Sequence, residues 1–160
     1  MPERENRFHE IDHTADIGIE IEAESAAKLF AAAAEAFYTL IADPSGIEPK
    51  KEISISATGE DWDDLLQAWL SELLAEFNLK GFIGKRCKVT NIAEFQGVGS
   101  PGSKTLDPLS RSGRVDGKVK GEVLDLKRHR FHTEIKGVTY HELKVWQQDG
   151  KWYARVIFDV

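Results

Sequence analysis

A short polar segment near the start of the chain combines residue types that can bind a cation or move a proton. His13, Thr14 and Asp16 stand in a predicted turn, directly before a strand-like stretch. The same residue types also stabilise turns, because Asp and Thr side chains accept hydrogen bonds from nearby backbone amides. Spacing alone therefore leaves two interpretations open, a functional site and a structural turn.

The other end of the chain carries a second candidate site. Asp159 follows the apolar run 156–158, and Val160 adds an α-carboxylate beside it. Two anionic groups in adjacent residues repel each other unless a cation or a basic group is near. This end of the chain therefore suits a cation.

Three histidines in the C-terminal half, His129, His132 and His141, form a third candidate group together with Lys136 and Tyr140. His129 and His132 have no third nitrogen or sulfur ligand at a suitable spacing, so a zinc site is not indicated. We expect both to be exposed loop residues. We expect His141 to lie in a strand, where an imidazole can be either packed or functional.

The hydrophobic pattern predicts the elements that must position these residues. Alternation of apolar and polar residues predicts strands over residues 8–11, 17–22, 51–58, 87–95, 113–123, 139–146 and 152–158. Helical spacing predicts one helix that begins after Ser25 and ends before residues 43–46, and a second helix within residues 59–81 that stops at residues 78–81. Asp149 and Gly150 predict a hairpin between the last two strands. The expected fold class is α+β, with two helices packed on a largely antiparallel β-sheet.

Length and composition limit the class of protein. A chain of 160 residues with 41% hydrophobic and 30% charged residues is expected to form a single domain, residues 1–160, with a real core. No apolar run approaches the ~18 residues of a membrane span, and the first residues lack the apolar core of a secretory signal. The single cysteine, Cys87, cannot form an internal disulfide. We expect a cytoplasmic protein with a flexible inserted loop at residues 96–112.

The net charge of −6 hides an asymmetry between the two halves. Residues 1–80 carry 6 Lys and Arg against 18 Asp and Glu, whereas residues 81–160 carry 15 against 9. A uniformly basic nucleic-acid-binding protein would not have this distribution. The acidic half suits a basic protein partner or a cation, and the basic half can still contact phosphates.

Three blocks of the sequence resemble the archease family. They are HTADIG at residues 13–18, KGVTYH at 136–141 and KWYARVIFDV at 151–160, with shorter similarities at 121–122 and 126–129. The blocks occur in order over nearly the whole chain, which makes the resemblance specific. Residues 1–6 and 96–112 look like an N-terminal extension and an insertion relative to the shortest family members.

The resemblance implies an archease-like α+β sandwich and an accessory role. Archeases assist the RtcB-type RNA-splicing ligase in tRNA splicing, a step of tRNA processing. By resemblance, this protein is a non-catalytic activator that promotes guanylylation and multiple turnover of that ligase and broadens the nucleoside triphosphates it accepts. The expected partner is the ligase, with tRNA reached only indirectly through it and no membrane involved.

The resemblance also implies a metal-binding site. Family members bind a divalent cation through residues that correspond here to Asp16, Asp159 and Val160. Oxygen ligands of this kind suit Ca²⁺, Mg²⁺ or Mn²⁺. Ligands from opposite ends of the chain require the first and last strands to lie side by side. His13, Lys136, His141 and Arg155 are the further candidates for contacts around this site, either with a partner or with the ligands.

Two other classes of function remain open from the sequence. A metal-dependent phosphoester hydrolase would use Asp16 and Asp159 as ligands and His141 or His13 as the general base. A chaperone-like or RNA-binding module would use the basic second half and would bind tRNA with a steep salt dependence.

Overall fold

The computed structural model describes residues 7–12, 16–93 and 113–160. His13 and the stretches at residues 1–6 and 96–112, singled out above, lie outside this range. The elements, in chain order, are β1 (Arg7–Asp12), β2 (Asp16–Ala23), α1 (Ala26–Ile41), β3 (Lys51–Gly59), α2 (Trp62–Lys80), β4 (Phe82–Ala93), β5 (Gly113–Val123), β6 (Gly137–Val138), β7 (Lys144–Gln148) and β8 (Lys151–Asp159).

The strands of the described residues form two sheets in which every neighbouring pair is antiparallel. The first sheet has the order β1-β2-β8-β6, and β7 also pairs with β8. The second has the order β3-β5-β4. The predicted α+β class is confirmed, and the strands are divided between two sheets.

The core lies where the two helices meet the sheets. On α1, the Phe37 ring lies 5.8 Å from the ring of Phe158 on β8. On α2, the fully buried Trp69 donates its indole N–H to the carbonyl oxygen of Phe30 on α1, at 3.0 Å. These contacts join the two helices to each other and to the first sheet.

Local capping signals account for the helix boundaries. Ser25 begins α1, because its Oγ accepts a hydrogen bond from the backbone N–H of Lys28 at 3.1 Å. Asp61 begins α2 in the same way, by accepting from the backbone N–H of Asp64 at 2.8 Å. Gly81 ends α2 in the left-handed conformation, with φ of 69°. The predicted helix starts and stops are thus confirmed.

The predicted strand over residues 139–146 is wrong, because a turn interrupts it. The backbone N–H and the hydroxyl of Thr139 both donate to the carbonyl oxygen of Ile157, at 3.1 and 3.0 Å. Leu143 then closes a turn by donating its N–H to the carbonyl of Tyr140 at 3.2 Å. His141 therefore lies in this turn and not in a strand.

Two other predictions concern β4 and the last hairpin. β4 begins at Phe82, five residues earlier than predicted, because Phe82 and Ile83 are buried and pair with the end of β5. The hairpin between β7 and β8 is confirmed. Asp149 and Gly150 have φ of 53° and 80°, as a two-residue hairpin turn with positive φ at both positions requires.

His129 is buried, and the expectation that it is an exposed loop residue is wrong. Its Nδ1 accepts the backbone N–H of Asp125 at 2.8 Å, and its Nε2 lies 2.9 Å from Oε2 of Glu122. The guanidinium of Arg128 donates to the other oxygen of Glu122 at 2.7 Å. The imidazole is thus a structural group that holds the segment after β5 against that strand. His132 is exposed, as predicted.

The helices α1 and α2 of the described chain are too short or too polar to cross a bilayer.

Candidate functional site

Asp16 and Asp159 occupy directly opposite positions on neighbouring strands. Asp16 is the first residue of β2 and Asp159 the last residue of β8, and the antiparallel register pairs one with the other. The two ends of the chain therefore meet at one edge of the first sheet. The expectation that the first and last strands lie side by side is corrected in one respect. The strand that brings the start of the chain to β8 is β2, because β1 pairs with the other side of β2.

Lys136 and Gly137 approach Asp159 from its other side. Gly137 is opposite Asp159 in the β6–β8 register, and the backbone N–H of Lys136 donates to the carbonyl oxygen of Asp159 at 2.7 Å. The backbone of Asp159 is thus fixed between β2 and β6, while its side chain is exposed. This arrangement presents a carboxylate from a rigid strand end to solvent or to a partner.

The electrostatics of the Asp16–Asp159 pair favour a bound cation. Side chains directly opposite each other in an antiparallel pair have Cβ atoms roughly 5 Å apart, and like charges in such a position destabilise the sheet. A divalent cation between the carboxylates would remove that repulsion. The chemistry of the donor set fits a hard cation such as Ca²⁺, Mg²⁺ or Mn²⁺, which prefers oxygen ligands.

The side chains present would leave such a cation open to further ligands. Within residues 7–12, 16–93 and 113–160, no group of three or more His, Cys, Asp or Glu side chains converges as a metal site. Asp16 and Asp159 would therefore supply two side-chain donors, and a main-chain oxygen of the half-buried Val160 is the predicted third. Remaining positions would be filled by water or by groups of a partner.

Arg155 lies on the same face of the sheet as the carboxylate pair but at a distance from it. It is four residues before Asp159 on β8, or about 13 Å along a strand. Its Nε donates to Oε2 of Glu20 at 2.9 Å, and a guanidinium nitrogen lies 3.5 Å from Glu142. Arg155 therefore serves first as an ion-pair partner within the sheet.

His141 belongs to the same row of charged side chains as Glu20, Arg155 and Glu142. Its Nε2 lies 3.3 Å from Glu142, in the turn that follows β6. At the far end of the row, His9 lies 3.5 Å from Glu20. The row thus alternates cationic or titratable groups with carboxylates. The carboxylates of Glu20 and Glu142 are not among the candidate residues that the sequence motifs predict. The position of Glu20 between two apolar residues of β2 was the available signal that it faces outward.

A separate acidic cavity of about 420 Å³ lies at the start of α2 and is lined by Glu60, Asp61, Asp63, Asp64, Tyr140 and Leu143. Two of its carboxylates accept hydrogen bonds from residues distant in the sequence. Asp63 accepts the backbone N–H of Val145 at 2.7 Å, and Asp64 accepts the hydroxyl of Tyr140 at 3.0 Å. The hydrogen bond to Asp64 raises the pKa of Tyr140 above its ordinary value. The hydrogen bonds across this cavity join the start of α2 to the turn after β6 and to β7.

Comparison with known proteins identifies the family. The model of the Archease protein family matches residues 8–160. The protein archease of Methanopyrus kandleri is 34% identical over 153 residues, which cover 96% of this chain and 99% of that protein. The protein archease of Sulfolobus acidocaldarius is 32% identical over 154 residues, with 96% and 99% covered.

Solved structures show the same fold. The solution structure of protein 1598 of Methanobacterium thermoautotrophicum matches with a TM-score of 0.77 and 29% identity, and the match covers 96% of this chain and 98% of that one. The crystal structure of an archease from Thermotoga maritima matches with a TM-score of 0.57 and 24% identity, over 94% of each chain. The sequence blocks, the fold and these similarities lead to one conclusion: the chain belongs to the archease protein family.

Proposed function

We propose that this protein activates an RtcB-type RNA-splicing ligase, as in the joining of tRNA halves, by promoting guanylylation and repeated turnover of the ligase. The observation that supports this most directly is the cross-strand pairing of Asp16 with Asp159 in a chain of the archease family. Broadening of the nucleoside triphosphates that the ligase accepts belongs to the same proposal. The protein would act in the cytoplasm, as a partner and not as an enzyme.

The geometry of the pair suits assistance to another protein's active site. Guanylylation moves GMP from GTP to a nucleophile of the ligase and releases pyrophosphate. Phosphoryl transfer of this kind depends mainly on positioning and on stabilisation of charge. The exposed carboxylate of Asp159 stands at a strand end, where it can enter a partner's cleft.

Each residue at this edge has a distinct part in the proposed site. Asp16 and Asp159 would hold a divalent cation together with an oxygen of Val160, and the cation would provide positive charge for phosphate or ligase oxygens. The backbone of Lys136 is fixed beside the pair through its hydrogen bond to the Asp159 carbonyl, and its exposed side chain would contact a partner carboxylate or phosphate. His141 is a candidate contact from the neighbouring turn.

Multiple-turnover RNA joining tests the proposal. A purified ligase of this type would join RNA ends with GTP and Mn²⁺ or Mg²⁺, with this protein present at one tenth of the ligase concentration. We expect several joined products per ligase with the protein and at most about one without it. Glu24→Ala, which removes one exposed carboxylate just after the other end of β2, should stimulate like the natural chain, whereas Asp16→Ala should not.

A phosphodiesterase assay separates the activator from a hydrolase. The protein alone, with metal and a model phosphodiester, should release no product above the metal blank. Hydrolysis that is lost in Asp16→Ala would contradict the proposal and favour the metal-dependent hydrolase. Absence of both stimulation and hydrolysis would contradict the proposed activation and leave only the family membership and the fold.

A further inference from the structure

The exposed face of the second sheet carries two adjacent rows of cations. Arg86 on β4 is opposite Lys120 on β5, and Lys88 on β4 is opposite Lys118 on β5. All four side chains are exposed. Register shifts in β4 lie on both sides of these rows, between Gly84 and Arg86 and after Val89. Such irregularities re-aim side chains along a strand. We call this surface, made of Arg86, Lys88, Lys118 and Lys120, the basic face.

The charge of the basic face is largely uncompensated. Glu52 is opposite Lys120 in the β3–β5 register, and its Oε1 lies 3.8 Å from the ammonium of Lys118. In the described parts of the chain, Arg86, Lys88 and Lys120 have no ion-pair partner within 4.0 Å. Like charges directly opposite each other weaken a sheet. A chain with a net charge of −6 has nonetheless placed four cations together, which indicates an anionic occupant.

The other exposed residues of this surface favour phosphate over a protein partner. Protein interfaces depend on buried aromatic and aliphatic anchors. Here the exposed neighbours of the basic face are polar: Ser54, Ser56, Thr58, Thr90, Asn91 and Arg114. Three of them, Ser56, Asn91 and Arg114, also donate hydrogen bonds to Asp116, a carboxylate on the same face that Arg114 neutralises. Hydroxyl, amide and cationic groups are the ones that contact nucleic-acid phosphates and sugars.

We propose that the basic face binds the phosphate backbone of RNA directly and without reading the bases. Among the described residues of this sheet, no exposed position carries an aromatic side chain on which a base could stack. The inference goes beyond the activation of a ligase. It gives the protein its own contact with RNA, on a sheet other than the one that holds Asp16 and Asp159. It differs from the expectation that tRNA is reached only through the ligase, and the experiment below distinguishes the two.

Salt dependence gives the proposal a quantitative form. Each phosphate contact on a single strand contributes about −0.7 to the slope of log K against log salt concentration, so four contacts predict a slope of about −3. Binding of this non-specific kind is weak, with a dissociation constant on the order of 1–100 μM near physiological salt.

Fluorescence anisotropy of a labelled 20-nucleotide oligouridylate, titrated with the full chain at 25–200 mM KCl, tests the proposal without any ligase. The double variant Lys88→Gln/Lys118→Gln should bind at least 10-fold more weakly at 50 mM KCl, and its slope should fall to about half. The control Lys144→Gln/Lys151→Gln removes two exposed cations from the first sheet and should bind within twofold of the natural chain. Thermal unfolding of both variants verifies that they are folded.

Three results would overturn the proposal. The first is a natural chain that does not bind the oligouridylate, and the second is an equal loss of affinity in the control variant. The third is a labelled oligoglutamate that binds through Lys88 and Lys118 as tightly as the RNA does, because an acidic protein surface would then be the better occupant. Since the assay contains no ligase, each result is independent of the proposed activation.

Discussion

Asp16 and Asp159 stand directly opposite each other in the β2–β8 pair, although they come from opposite ends of the sequence. The register that aligns them also aligns Glu20 with Arg155 further along the same two strands. One pair therefore joins opposite charges and the other joins like charges. The like-charged pair is the one that a cation would stabilise, and it is the centre of the proposed function.

Metal should stabilise the natural chain and not a variant that lacks one carboxylate. Without metal, Asp16→Asn should unfold at the same temperature as the natural chain or slightly higher, because it removes the repulsion between the carboxylates of Asp16 and Asp159. At 100 times the dissociation constant of Mn²⁺ or Ca²⁺, the natural chain should gain about 2.7 kcal/mol, or about 5–10 °C in Tm.

Differential scanning calorimetry with and without the metal measures both effects. Glu24→Gln, an exposed carboxylate remote from the pair, should keep the full metal-dependent gain. Equal gains in Asp16→Asn and in the natural chain would show that the stabilising metal binds elsewhere.

The buried Glu122 should make stability depend on acid. The hydrogen bond from Arg128, with those from Glu48 and His129, lowers the pKa of Glu122 to about 2 in the folded protein. A carboxylate whose folded pKa lies below its unfolded value contributes stability above the unfolded pKa, near 4.5, and loses it as pH falls towards 2. Glu122→Gln should therefore cost about 1–3 kcal/mol at pH 7 and progressively less between pH 4.5 and 2.

Urea unfolding of the natural chain and Glu122→Gln at several pH values measures this difference in the free energy of unfolding. Glu52→Gln, an exposed carboxylate on β3, should change it by less than about 0.5 kcal/mol at every pH. A difference for Glu122→Gln that is constant with pH would show that its charge contributes nothing to the folded state.

Gly121 should not tolerate a methyl group. A Cβ there would lie 2.0 Å from the carbonyl oxygen of Ile83 and 2.7 Å from the Cα of Gly84, both of which are backbone atoms of β4. Gly121→Ala would have to push β4 away from β5, at a cost of at least about 2–3 kcal/mol. At Gly137 a Cβ meets no atom within 4 Å, so Gly137→Ala should stay within about 0.5 kcal/mol of the natural chain. Thermal unfolding of the two variants checks the contrast, and equal Tm values would contradict the close packing of β4 on β5.

The sequence predicts local structure well, because the signals are local. Ser25, Gly81 and the Asp149–Gly150 turn act through bonds or backbone conformations within a few residues, and each was predicted correctly. The division of the strands between two sheets depends on contacts between distant segments. Alternation of apolar residues predicts a strand but does not identify its neighbour.

The errors share the same cause. His129 was expected to be exposed, but it is buried because Glu122 and the Asp125 N–H satisfy its two ring nitrogens. His141 was expected in a strand, but the hydroxyl of Thr139 donates to the carbonyl oxygen of Ile157, and the strand pairing does not continue to His141. In each case a partner outside the local pattern decided the outcome. The closeness of Asp16 and Asp159, by contrast, was expected, because the ligand set that the family resemblance implied requires the two ends of the chain to lie together.

Transfer of radiolabelled GMP from GTP to a purified RtcB-type ligase tests the central claim most directly. The protein would be present in catalytic amounts, with Mn²⁺ or Mg²⁺, beside Asp16→Ala, Asp159→Ala and the control Glu24→Ala. We predict faster labelling with the natural chain and the control, and the rate of the ligase alone with both aspartate variants, all three variants being folded by circular dichroism. Full stimulation by the folded aspartate variants would contradict the claim that the paired carboxylates are the working site.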